Sequence, residues 1–195
     1  MPYQWDNRLK RFRDKVTGRI APEATVRAGV EQAIDNGRLE VRASVSALAA
    51  GRTTLPDWQR DLRNAARDAH LAVGAVAAGG LRQLTNQALG KIGAYVKQEY
   101  KGIAALAASV QELSPAQVAV RAGYYVGSAI RTFEAVYQDV RSEAGATECM
   151  NILQPGASCS DCIRLSSMGY IPIGDMPLPG TRDCRSNCNC RLKYR

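Results

Sequence analysis

Five of the chain's six cysteines lie between Cys159 and Cys190, near the end of a 195-residue sequence that is otherwise almost free of them. From Gly145 onward the helical period disappears, and Pro and Gly become frequent. A segment of about fifty residues with so few apolar side chains buries too little surface to hold itself together, so it needs a staple. Disulfides, a metal ion and a redox centre compete for that role.

Cys159 and Cys162 form a C-x-x-C pair, and Cys184, Cys188 and Cys190 follow as C-x-x-x-C-x-C after a gap of 21 residues. Two cysteine-bearing turns at such a separation commonly hold tetrahedral zinc, because each turn presents its thiolates together. The ion then closes the loop between them and supplies folding free energy. Five thiols exceed four ligands. Cys159, Cys162 and Cys188 are assigned first, and the fourth is either Cys184 or Cys190. Cys149 reads as a small buried residue on a strand. A redox C-x-x-C would open a helix within a strand–helix–strand unit, and none precedes this one. The opening "MPYQWDNRLKRFRDKVTGR" lacks the apolar run of a signal peptide. No stretch approaches the roughly 18 apolar residues of a membrane span. A reducing, cytoplasmic setting is therefore expected, and there clustered cysteines hold metal more often than they form disulfides. Structural zinc is the expectation.

The preceding residues carry the helical period in four long segments. The first runs from about Ala21 to Ala50 with Val26, Val30, Ile34, Val41, Val45 and Leu48 on one face, and Gly51 closes it. The second starts after Thr54, with Pro56 and Asp57 in its first turn and Trp58 and Leu62 in its stripe, and stops at Gly79-Gly80. The third spans about Thr85 to Leu113 and is weakened by Gly90, Gly93 and Gly102. The fourth, capped by Ser114 with Pro115 next, continues to about Gly145. Short connections favour antiparallel neighbours. The expected fold is mainly α: a basic N-terminal segment (1–20), an antiparallel helical-bundle body (21–145), and a small, β-poor, Cys-rich, zinc-stapled module (146–195). Within that module "CMNIL" and "CRLKYR" read as short strands.

The net charge of +8 sits at the two ends. Residues 1–19 and 182–195 each carry +4, and the residues between them are neutral. Arg8, Lys10, Arg11 and Arg13 at one end, and Arg182, Arg185, Arg191, Lys193 and Arg195 at the other, are candidates for contact with nucleic acid or an acidic protein surface. Catalytic patterns are missing. The single histidine, His70, lies within the second helix with no H-x-E or H-E-x-x-H around it, and there is no G-x-S-x-G or glycine-rich phosphate loop. An all-cysteine site also leaves no open position for water. Neither a catalytic residue nor an enzyme activity is expected.

The C-terminal pattern resembles the end of Mu F-type phage head morphogenesis (minor head) proteins. In that family a C-x-x-C pair is followed by a glycine, a proline-rich turn and a closing H-P-x-C-R-C. Cys159 and Cys162 match the first pair, Gly169, Pro172, Pro177 and Pro179 the middle, and Cys188 and Cys190 the close, with Arg191 just beyond. Arg185-Ser186 stands where the family has His-Pro, and Asn189 where it has Arg. Cys184, one position before the absent histidine, is a candidate to replace it, which strengthens its claim against Cys190 and leaves the choice between the two open. The match covers residues 149–195. It implies a minor structural protein of a tailed phage or prophage, located in the virion head near the portal vertex and in host cytoplasm during assembly. Portal or major capsid protein would be its partners, with sequence-independent DNA contact, oligomerisation through the virion and no membrane. The alternative from the residues alone is a small zinc-stabilised nucleic-acid-binding protein, although no recognition helix or C₂H₂ finger is present.

Overall fold

The computed structural model describes residues 3–6, 8–156, 158–184, 188 and 190–195. The chain runs β1 (Tyr3–Asp6), β2 (Arg11–Asp14), β3 (Ile20–Ala21), α1 (Glu23–Ala49), α2 (Leu55–Ala78), α3 (Asn86–Ala108), α4 (Pro115–Gly127), α5 (Ala129–Glu143), β4 (Glu148–Ile152), α6 (Ser160–Ser167), β5 (Ile171–Pro172) and β6 (Arg191–Tyr194). The helical body begins where the sequence signals place it. Thr54 accepts a hydrogen bond from the Asp57 N–H at 3.3 Å, and Ser114 and Gln117 close a capping box.

The stripes assemble around α2, which packs against α1, α3 and α5. At one end Val41 and Val45 of α1 meet Trp58 and Leu62 of α2, Ile103 of α3 and Val118 of α4. At the other end Val26 and Val30, Val73 and Val76, Ile92, and Phe133 share a second cluster. The four helical segments therefore run antiparallel to their neighbours, as expected, with α4 and α5 continuing in one direction and together covering the length of α3. The fourth segment is broken where one continuous helix was expected. At the break the Ser128 hydroxyl donates to the Tyr125 carbonyl at 2.9 Å, and the Arg131 N–H bonds back to Ser128 O, a tighter i→i+3 step. Gly127 stands beside the break, where a Cβ would lie 2.5 Å from the tip of the Arg38 side chain of α1. The third segment stays helical through Gly90, Gly93 and Gly102. Gly102 permits close approach, since a Cβ would lie 2.6 Å from the Tyr125 ring.

The N-terminal basic segment folds as a three-stranded antiparallel sheet in the order β1-β2-β3, with Trp5 opposite Phe12. Trp5 and Phe12 are buried and meet edge-to-face, their ring centroids 5.1 Å apart. Gly79 is the hinge of this arrangement. Its φ of +84° ends α2 in the left-handed region, and a Cβ there would sit 2.1 Å from the Trp5 amide nitrogen.

Tyr137 of α5 stacks on Phe12 and Phe133 and meets the Tyr194 ring of β6 at 5.6 Å. Cys149, Leu165, Met176, Leu192 and Tyr194 enter the same apolar cluster as Trp5 and Val26. The three segments marked out by the sequence thus share one core, and the body supplies burial that the C-terminal segment lacks by itself.

Several buried polar groups are paired within the core, whereas the Trp58 indole N–H and the Tyr194 hydroxyl have no hydrogen-bond partner among the described residues. Arg27 of α1 and Glu134 of α5 form a buried ion pair, and Glu23 accepts from both Arg27 and the Tyr137 hydroxyl. His70 is fully buried, its Nδ1 2.6 Å from Thr132 Oγ1 and its Nε2 3.2 Å from Ser128 Oγ. Burial, aided by nearby Arg131, lowers its pKa from 6.5 to about 4. A histidine kept neutral in the fold but protonated in the unfolded chain stabilises fully above about pH 6.5. Its contribution is lost as pH falls from there toward 4. We expect wild-type protein to lose about 2–3 kcal/mol more than His70→Gln between pH 7 and pH 4.5 in urea unfolding. Equal losses in the two proteins would contradict this assignment.

Candidate metal centre

The C-terminal sheet has the order β5-β4-β6, with Cys149 opposite Tyr194 and Asn151 opposite Leu192. Central strand β4 turns Cys149 and Asn151 inward. Asn151 Nδ2 donates to the Cys162 carbonyl at 2.9 Å, which fixes α6 against the sheet. Cys159 is the residue that starts α6, and Cys162 lies in its first turn. Cys190 immediately precedes β6, so pairing of β4 with β6 carries the closing cysteines back to the C-x-x-C pair. Gly180, with φ of +88°, turns the chain ahead of Cys184.

All five cysteines expected as ligands come together. The sulfurs of Cys159, Cys162 and Cys184 lie within 4.8 Å of one another, and so do those of Cys162, Cys188 and Cys190. Cys162 is common to both triads and fully buried. Its sulfur is 3.6 Å from that of Cys184 and 3.7 Å from that of Cys188. All six cysteines are free thiols. These separations are far from a disulfide bond of about 2.05 Å. They approach the edge of about 3.8 Å that follows from tetrahedral metal–sulfur bonds near 2.3 Å. The cluster can hold a metal ion.

The electrostatics of the thiols are those of a crowded, buried cluster. Burial, reinforced by contacts with Cys188, Cys159 and Cys162, pushes the Cys184 thiol well above its usual range. Burial and Cys162 raise Cys190 to about 12. Cys188 moves the other way despite its burial, because the N–H groups of Cys190 and Gly180 donate to its sulfur. Crowded thiols resist multiple ionisation, and an incoming cation displaces their protons. Cys159 and Cys184 are half-buried, and Cys184 borders a groove of about 920 Å³ that Arg121, Tyr124 and Arg131 also line. This gives an ion a path to the site.

Cys149 stands apart, buried in the main core, and burial raises its thiol to about 11. Asn151 escaped the sequence reading. Only its inward position two residues after Cys149 on a strand marks it.

The proposed contact residues divide. Arg8, Lys10, Arg11 and Lys193 are exposed. Arg13 is occupied by Asp6 at 3.0 Å, Arg191 reaches Glu31 at 3.5 Å, and Arg195 pairs with Glu148 at 2.7 Å. Arg185 lies outside the described residues. Arg182, expected on the surface, is only 4% exposed and bonded within the site, so it is not available to an external partner. Among the described residues, no helix is long and apolar enough to cross a membrane. Compared with protein-family models, with curated proteins and with solved structures, the chain has no match.

Proposed function

We propose that this chain is a structural protein of a tailed-phage head, with its helical body as the docking part and its C-terminal end stapled by one zinc ion. The observation that carries the reading is the gathering of five sulfurs from both ends of the 159–190 segment, around the proline-rich turn that resembles the Mu F-type pattern. Cys159, Cys162, Cys184 and Cys188 are the ligands. Cys184 neighbours each of the other three thiols, whereas Cys190 neighbours Cys162, Cys188 and Asn151. A closed tetrathiolate site supplies folding energy without catalysis, which accords with a structural role.

The N-terminal sheet is the DNA-facing element. Its two carboxylates are occupied by its own turns: Asp6 accepts from the Arg8 and Leu9 N–H groups, and Asp14 from those of Val16 and Thr17. The exposed cations Arg8, Lys10, Arg11, Lys15 and Arg19 are left to face phosphate.

Two experiments test the reading. Mass spectrometry of purified particles should find the chain in heads, and its absence there contradicts virion residence. Binding to random duplex DNA should weaken with salt, and replacing Arg8, Lys10 and Arg11 by Ala should reduce the log–log slope by about 3. An unchanged slope removes the sheet from the interface. Preference for one sequence by about a thousandfold indicates a regulator instead.

A further inference from the structure

Every other buried charged side chain in the described structure faces an opposite charge: Arg27 faces Glu134, and Glu99 faces Arg131. Arg182 does not. It is 4% exposed, and no carboxylate lies within ion-pair distance of it among the described residues. The remaining residues contain no Asp or Glu. Its Nε and Nη2 donate to the Pro177 carbonyl at 3.1 and 2.6 Å. Nη1 donates to Asn151 Oδ1 at 2.7 Å and lies 3.5 Å from Cys162 Sγ.

A guanidinium cannot shed its proton, so burying it demands negative charge nearby. The only nearby groups that can supply it are the thiols. Four thiolates around a divalent ion carry two surplus negative charges. We infer that Arg182 is a positioning residue of the metal centre, holding the Cys162 sulfur and neutralising part of that surplus. Asn151 ties the unit together, since its carbonyl oxygen accepts from Arg182 while its amide holds the Cys162 backbone.

This rests on the metal reading above, and the test separates the two. Wild type, Arg182→Lys and Arg182→Gln are loaded with Zn²⁺ and titrated with a competing chelator, then loaded with Co²⁺ to read the thiolate charge-transfer band. Gln keeps a donor for Pro177 but loses the charge. Lys keeps the charge. We expect Gln to weaken Zn²⁺ binding about 10–100-fold and move the cobalt band to longer wavelength, with Lys recovering most of both. Equal behaviour of Gln and Lys, folded or not, overturns the charge role and leaves a mere clamp on Pro177. Wild type that binds no metal overturns this inference and the metal reading together, whereas a metal-binding Gln variant with wild-type affinity overturns this inference alone.

Discussion

Cys162→Ser is expected to abolish stoichiometric metal binding and open the C-terminal end of the chain, whereas Cys190→Ser keeps one bound ion. Cys162 belongs to both sulfur triads and is buried at their junction, so no neighbour can take its place. Structural zinc contributes about 10–16 kcal/mol in small zinc peptides, where it is nearly the whole of the folding energy. Here part of the segment is anchored by Leu165, Met176, Leu192 and Tyr194 in the main core, so the consequence is local. Hydrogen exchange should show lost protection in β4, α6 and β6 of Cys162→Ser while α2 keeps its protection. Chelation of wild-type protein should reproduce that pattern. If Cys190→Ser releases the metal and Cys184→Ser does not, the quartet is assigned to the wrong cysteine.

The second large effect lies in the body. Arg27→Met leaves the Glu134 carboxylate fully buried without a counter-charge, and we expect a loss of about 3–5 kcal/mol in urea unfolding. Glu134→Leu should cost less, because Arg27 keeps Glu23 at 2.9 Å and lies 5.0 Å from the Phe133 ring centre. The double variant, with an apolar pair of similar volume, should recover most of the Arg27→Met loss. Additive losses would show that the pair is not a coupled unit. Since domains hold only about 5–15 kcal/mol of stability, Arg27→Met approaches the threshold of folding.

The helical body was legible in the sequence because its signals are local. Thr54, Ser114 and Gly79 mark helix ends, and stripes such as Val26–Val30–Ile34 need only the helical period to be read. The gathering of five cysteines was legible for the same reason: short spacings bring thiols together from single turns. Features that depend on distant partners were not. The N-terminal sheet hides Trp5 and Phe12 among cations, and only the α2 end and Tyr137 make them core residues. The break comes at Ser128, whose hydroxyl meets both the Tyr125 carbonyl and the distant His70 ring. Arg182 looked like one more surface cation in a basic tail. Its burial depends on Asn151 and on the turn at Pro177, neither of which carries a pattern of its own. The choice between Cys184 and Cys190 likewise required three dimensions, since both satisfy the spacing.

The most direct test is the metal content of untagged protein purified under reducing, chelator-free conditions. About one zinc per chain is expected by elemental analysis, retained by Cys190→Ser and lost in Cys162→Ser. A wild-type protein that is folded and reduced yet holds no near-stoichiometric metal would contradict the metal reading.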